Sequence, residues 1–114
     1  MIARSEALDL MFQALADSTR RAVLERLGRG PASVSELASP FDMALPSFVR
    51  HLQVLEDAEL VRSRKDGRVR TFWIVPEQVA RAEHWLAGQR RLWERRLDQL
   101  DRYAATLERK ENRR

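Results

Sequence analysis

The sequence contains no cysteine among its 114 residues. Disulfide bonds and thiolate metal sites are therefore excluded, which fits a reducing compartment. It also has no long apolar run, and its opening residues lack the charged, apolar and small-residue regions of a secretory leader. From these absences we expect a cytoplasmic protein that does not enter a membrane.

Histidine is scarce as well, since the chain has only His51 and His84. A protein metal site needs three or four convergent donors, so we expect His84 at the surface and predict no metal and no other cofactor. No nucleophile is paired with a base, and no glycine-rich loop is suited to a phosphate. The carboxylates lie mainly among arginines at helical spacing, as in Asp98 and Arg102. We therefore predict that the protein is not an enzyme.

Positive charge is concentrated in one segment of the chain. The 21 basic and 17 acidic residues give a net charge of only +4, but residues 62–70 contain five bases and the single acid Asp66. A local basic strip of this kind is typical of a nucleic-acid-binding protein. A charged hairpin that only keeps the protein soluble is the other interpretation.

The length of the chain predicts one domain, residues 1–114, with a single core. Its apolar periodicity predicts a mainly α fold with a small β-hairpin. We expect a core over residues 5–76, a terminal helix over residues 77–109 and a charged tail over residues 110–114.

Three helices are predicted before residue 41. Residues 5–16 repeat apolar side chains at i, i+3, i+4 and i+7, which indicates an amphipathic helix. Asp17 is predicted to cap a second helix that ends at Gly30, and Ser35 to cap a short third one. Residues 32–34 are too few for an independent strand but could add to a sheet.

The segment PSFVRHLQVLEDAELV, residues 46–61, organises the rest of the chain. Phe48, Leu52 and Leu55 recur at helical spacing on one side, and Pro46 suits the first helical position. Together with the short helix before it, this segment predicts a helix-turn-helix. Its opposite side is polar, which fits either a DNA-reading face or an ordinary solvated surface.

A β-hairpin is predicted immediately after this helix. Asp66-Gly67 separates two runs with period-two alternation, which predicts a type I′ turn. In the returning strand we expect Phe72 and Ile74 to join the core. The basic tip of the hairpin would then project into solvent.

The terminal helix carries an apolar seam. Leu86, Trp93, Leu100 and Leu107 fall seven residues apart, although Glu83 and Arg90 interrupt the alternate position in the first half. A rod of about 30 residues, roughly 45 to 50 Å long, is more than so small a domain can cover. We therefore predict a homodimer. The residues expected in its interface are Leu8, Met11, Phe12, Leu86, Trp93, Leu97, Leu100 and Leu107.

Three segments carry a resemblance to a known family: LADSTRRAVLERL (15–27), ELASPFDMALPSFVRHLQVLEDAELV (36–61) and KDGRVRTFWI (65–74). They resemble the ArsR-type (ArsR/SmtB-like) winged helix-turn-helix transcriptional regulators. The resemblance implies a dimeric DNA-binding repressor with a recognition helix over about residues 45–57. It also implies that the hairpin is the wing and that the terminal helices form the dimer interface.

The sequence departs from the family pattern in two places. Many relatives sense metals through an ELCVC-like segment, whereas residues 36–40 here read ELASP and contain no thiol. Relatives also often carry Ser or Thr where this chain has Ala44 and Val49. Ala44 is a weak helix cap, and Val49 offers a methyl contact to thymine instead of a hydrogen bond.

Within this framework, Arg50 is the best candidate for a guanine contact, because its fork matches the O6 and N7 acceptors. For His51 two roles stay open, a hydrogen-bonded core residue or a DNA contact. Half-sites about one helical turn, roughly 34 Å, apart are expected in a near-palindromic operator. The residues expected to contact DNA are Leu45, Pro46, Ser47, Val49, Arg50, Gln53, Arg64, Lys65, Arg68 and Arg70.

A different class of function is also compatible with the long terminal helix. The chain could be a protein-protein interaction module that uses this helix and does not bind DNA specifically. A small-molecule effector near Trp73, Trp85 and Trp93 is a further open interpretation. The sequence does not identify such an effector.

Overall fold

The computed structural model describes residues 4–113. They form a mainly helical structure with one small antiparallel sheet, which confirms the predicted fold class. No helix in the described range is long and apolar enough to cross a membrane. The elements are α1 (Arg4–Leu15), α2 (Ser18–Leu27), β1 (Ala32–Ser33), α3 (Val34–Ala38), α4 (Leu45–Asp57), β2 (Val61–Asp66), β3 (Val69–Ile74) and α5 (Pro76–Asn112).

The chain divides into two units, Met1–Ala82 and Glu83–Arg114. The first unit contains α1 to β3 and the opening turns of α5. The second unit consists of the remainder of α5. A single domain over the whole chain stays a prediction.

The start of α2 confirms the role predicted for Asp17. Its backbone is extended, and its carboxylate Oδ2 accepts a hydrogen bond from the Arg20 N–H at 3.0 Å. The predicted end of this helix was wrong, because α2 ends at Leu27 with Gly28 as its C-cap. Gly30, with φ of 139°, lies in the connection that follows, where a side chain would be strained.

The cap of α3 is Ser33, and the prediction of Ser35 was wrong. Ser33 Oγ accepts the Glu36 N–H at 3.2 Å, and Glu36 Oε1 accepts the Ser33 N–H at 3.1 Å. This reciprocal capping box satisfies two N–H groups at the helix start. Ser33 also ends β1, so a single residue closes the strand and opens the helix.

The sheet has the strand order β1-β3-β2. Ala32 pairs with Phe72, which confirms that the short segment before α3 adds to the sheet. In the hairpin, Asp66 pairs with Val69, so the two turn residues are Gly67 and Arg68 and not Asp66-Gly67.

The type I′ turn predicted for the hairpin was therefore also wrong. Gly67 has φ of 64°, whereas Arg68 does not have a positive φ. A type I′ turn needs a positive φ at both central residues, and a type II′ turn needs it only at the first. The pattern here is that of type II′, with glycine at the position that requires it.

The core of the first unit lies beneath α4. Phe48, Leu52 and Leu55 are at most 1% exposed, and Phe72 is buried with them. Ile74 packs partly buried against the same cluster, so both predictions for β3 are confirmed. Burial of each large side chain of this kind contributes about 1.5 to 3 kcal/mol.

Met11 corrects the predicted dimer interface. Its side chain is 1% exposed and belongs to the core of its own unit. Because almost none of the Met11 side chain is accessible to a second chain, Met11 is not part of a dimer interface. The stripe on α1 serves the internal core at this position, with Leu8 packed partly buried against the same cluster.

Replacing Asp17 by Ala should lower the free energy of unfolding by about 1 kcal/mol at pH 7, because the cap of α2 is lost. The hydrogen bond from the Arg20 N–H holds the pKa of Asp17 below its ordinary value of 3.8. The contribution of Asp17 is therefore present above that ordinary pKa and is lost as the pH falls through the lower folded value. Urea denaturation of wild type and Asp17→Ala at pH 7 and below pH 3 measures this.

The difference between the two proteins should be largest at neutral pH and should shrink on acidification. Asp42→Ala is the matched control, since Asp42 is exposed and caps no helix. A difference between wild type and Asp17→Ala that stayed constant with pH would contradict the role of the ionised carboxylate.

Candidate nucleic-acid interface

Helix α4 exposes the side opposite to its buried apolar stripe. The range Leu45–Asp57 agrees with the helix that the resemblance implied. Because Phe48, Leu52 and Leu55 face the core, the 3.6-residue period turns the polar positions toward solvent. The six residues of α4 predicted to contact DNA are all exposed: Leu45, Pro46, Ser47, Val49, Arg50 and Gln53.

The first turn of α4 has no side-chain cap. Ala44 is the N-cap residue and makes no capping hydrogen bond, as the sequence predicted. Leu45 opens the helix, so Pro46 takes the second helical position instead of the first. The N–H groups at a helix start have no partner within the helix, and they suit an anion such as a phosphate.

Gln53 and Arg50, the two polar side chains at the centre of the exposed face, differ in their hydrogen bonding within the chain. Gln53 Nε2 donates to Asp57 Oδ1 at 2.8 Å, which orients the amide and leaves Oε1 open as an acceptor. Arg50 makes no hydrogen bond or ion pair to the described part of the chain. Its five donors are therefore available to a ligand.

The β-hairpin exposes all five of its basic residues to solvent. Arg70 is also held by hydrogen bonds, because its Nη1 donates to Ser63 Oγ at 2.8 Å, and Ser63 Oγ in turn donates to Glu56 Oε1 at 2.8 Å. This chain of bonds connects β3 through β2 to the last turns of α4. The exposed basic side chains are Arg62, Arg64, Lys65, Arg68 and Arg70.

Sequence reasoning missed Val69 beside the hairpin turn. Its side chain is 52% exposed, although it is apolar. Its register opposite Asp66 puts it next to the tip, where the prediction had considered only the bases. The alternation with Phe72 was the signal that would have identified it, because Val69 falls on the outward side.

The structure also shows the surroundings of His51. Its Nδ1 lies 3.0 Å from Arg20 Nη1 and 3.7 Å from Asp17 Oδ2. Arg20 also donates from Nε to the Ala14 carbonyl and from Nη2 to the Gln13 carbonyl, both at 2.8 Å. Arg20 therefore links the end of α1 to the middle of α4. The segment LADSTRR contains Arg20, but the sequence gave no sign that its partner is 31 residues away.

The second unit exposes the apolar seam of α5. The five seam residues are between 44% and 61% exposed, and Tyr103, which was not predicted, is 64% exposed. An apolar surface of this extent typically marks an interaction site. On α1, in the first unit, Phe12 is also exposed. The seam residues are Leu86, Trp93, Leu97, Leu100 and Leu107.

No group of three or more His, Cys, Asp or Glu side chains within residues 4–113 is placed to hold a metal ion. The exposed face of α4 and the hairpin after it offer hydrogen-bond donors and positive charge, with the five bases Arg62, Arg64, Lys65, Arg68 and Arg70 in the hairpin. A helix-turn-helix with a polar second helix and a basic hairpin after it defines the class of winged-helix regulators.

Comparison with known proteins supports this class. A family model described as a helix-turn-helix domain matches residues 15–64. The crystal structure of an ArsR family transcriptional regulator is similar to this chain at 60% sequence identity and a TM-score of 0.78. That match covers 82% of this chain and 97% of the other chain. The protein therefore belongs to the ArsR family of transcriptional regulators.

Two further proteins resemble shorter parts of the chain. The HTH-type transcriptional regulator Rv2034 of Mycobacterium tuberculosis is 44% identical over 72 residues, which are 63% of this chain and 67% of that protein. The homodimeric winged helix-turn-helix DNA-binding domain of a possible ArsR-family regulator from Mycobacterium bovis is 28% identical, with a TM-score of 0.59. The match covers 75% of this chain and 82% of that domain.

Proposed function

We propose that the protein is a homodimeric transcriptional repressor that binds a near-palindromic operator through the major groove. The observation that carries the proposal is the exposed polar face of α4, adjoining a hairpin with five exposed bases. Membership of the ArsR family supports the regulatory role and implies repression.

Base reading is assigned to α4. A major groove about 12 Å wide admits an α-helix, and specificity comes from side chains that reach base edges. Arg50 is free to make a bidentate contact with guanine, and Gln53 keeps an open acceptor. Val49 would contact a thymine methyl group, whereas Leu45, Pro46 and Ser47 contact the DNA at the helix entrance.

Phosphate binding is assigned to the hairpin, which acts as the wing. Arg64, Lys65 and Arg68 are exposed near its tip, and each would displace counterions from the duplex. Arg70 contributes from a fixed position, because Ser63 holds one of its nitrogens. These contacts supply affinity and register without sequence information.

The dimer interface is assigned to the seam of α5, with Leu8 and Phe12 of α1 as further contributors. In this proposal the chain is a single DNA-binding domain whose terminal helix pairs with a second copy. The exposure of the seam and the homodimeric domain from Mycobacterium bovis support it. A protein-protein interaction module remains the second candidate, since the same exposed seam suits an unrelated partner helix.

Arg50→Ala should weaken operator binding by roughly 1 to 3 kcal/mol and relax the preference at one base pair, because a base contact is lost.

Lys65→Ala should weaken binding to all DNA sequences alike and reduce the slope of log affinity against log salt concentration by about one unit, because a phosphate contact is lost. Gel shifts on operator and scrambled DNA at several salt concentrations separate the two. Unaltered base preference in Arg50→Ala would refute the assignment of base reading.

Footprinting on the DNA upstream of the protein's own gene should show two related half-sites about 34 Å apart, because the two-fold symmetry of a dimer repeats in its operator. A single unrepeated half-site would contradict the dimeric mode. The absence of both a specific footprint and a steep salt dependence would favour the protein-interaction module instead.

Leu100→Glu should convert the dimer into a monomer. It places a charge in the seam of both copies and removes apolar burial worth about 1.5 to 3 kcal/mol per side chain. Sedimentation over a range of concentrations measures the dissociation constant, which we expect to rise at least about 100-fold. Gln99→Glu is the matched control, since it adds the same charge one residue away, outside the seam. Equal dissociation constants for the two variants would show that the seam is not part of the dimer interface.

A further inference from the structure

His51 lies at the boundary between the buried and the exposed sides of α4. On the helical period it follows Ser47 by one turn and is adjacent to Arg50, both of which are exposed. Its own side chain is 24% exposed. The ring is therefore half-buried at the margin of the proposed DNA-binding face.

Arg20 determines which ring nitrogen of His51 carries the proton. A guanidinium group has donors and no acceptor, so the 3.0 Å contact between Arg20 Nη1 and His51 Nδ1 requires Nδ1 to accept. The neutral ring then carries its proton on Nε2. The two bonds from Arg20 to the Ala14 and Gln13 carbonyls hold the guanidinium in place.

The Nε2–H group is left without a protein acceptor. Within the described residues Nε2 makes no hydrogen bond. Every buried side-chain nitrogen or oxygen in those residues does have a hydrogen-bond partner. Because Nε2 has none, it is not a buried atom and is accessible to solvent. The charged groups that contact the ring are Arg20 and Asp17, and both lie on the Nδ1 side.

We propose that His51 donates a hydrogen bond from Nε2 to a phosphate oxygen of the operator, as a neutral ring whose tautomer and orientation Arg20 sets. His51 is thus a DNA-binding residue, and Arg20 is its positioning residue. The proposal rests on the proposed DNA-binding function. It differs from the contacts of the wing, because a neutral donor displaces no counterions.

The test compares His51→Ala with His51→Gln on operator DNA. Gln can accept from Arg20 through its oxygen and donate through its nitrogen, whereas Ala can do neither. We expect His51→Ala to bind about tenfold more weakly with an unchanged salt slope, because a hydrogen bond to a charged acceptor is lost. His51→Gln should stay within about threefold of wild type. His84→Ala, which removes the other histidine, should bind as wild type does.

A second measurement separates phosphate binding from a purely structural role. Single methylphosphonate substitutions along each half-site neutralise one phosphate at a time. One position should weaken wild type and His51→Gln but have no further effect on His51→Ala. If His51 only supported α4, the losses would add at every position. If His51→Ala does not fold, as judged by circular dichroism, the comparison uses His51→Phe, which keeps an aromatic ring at this position and has neither nitrogen.

Three results would overturn the proposal: binding of His51→Ala equal to wild type, a salt slope reduced by about one unit, or additive losses at every phosphate. Failure of wild-type protein to bind any operator specifically would instead refute the proposed function. The two failures are therefore distinguishable in one set of titrations.

Discussion

The one-sided burial of α4 fixes the orientation of the proposed DNA-binding surface. Phe48, Leu52 and Leu55 together contribute roughly 5 to 9 kcal/mol of apolar burial, which is comparable with the total stability of a small domain. A rotation of α4 about its axis would expose these side chains to water. Because that rotation is forbidden, Arg50 and Gln53 must face outward. The core thus determines which side chains can meet a duplex.

The hairpin depends on the same helix through polar contacts. Glu56 near the end of α4 accepts from Ser63, which accepts from Arg70, so hydrogen bonds join the helix and the hairpin that carry the two parts of the proposed interface. The turn at Gly67 leaves the neighbouring bases exposed. A protein that recognises a DNA sequence must hold its base-contacting and phosphate-contacting residues in a fixed relative position, because the phosphate contacts set the register of the base contacts. These bonds provide that relation within the first unit.

Local patterns in the sequence were sufficient to predict the helices, the hairpin and the exposed face of α4. They failed locally at the end of α2 and at the hairpin turn, and they failed again where a distant pairing decides the outcome. Ser33 and Ser35 are both plausible caps, and the pairing of Ala32 with Phe72 makes Ser33 the residue that ends the strand. A stripe on α1 does not reveal whether Met11 faces its own core or another chain. The hydrogen bond between Arg20 and His51 could not be predicted either, because it joins two helices that are far apart in the sequence.

The seam of α5 is the feature that single-chain stability does not explain. Leu97 and Leu100, at 59% and 61% exposure, gain little from burial within the chain, yet the helix is rich in other residues that favour helix formation. Such side chains become favourable only when a second surface covers them. In the proposed dimer, that pairing also connects two DNA-binding faces, and a tethered second half-site binds at a high effective concentration. The apolar residues that are exposed in a single chain would then also be the residues that give the dimer its affinity for two half-sites.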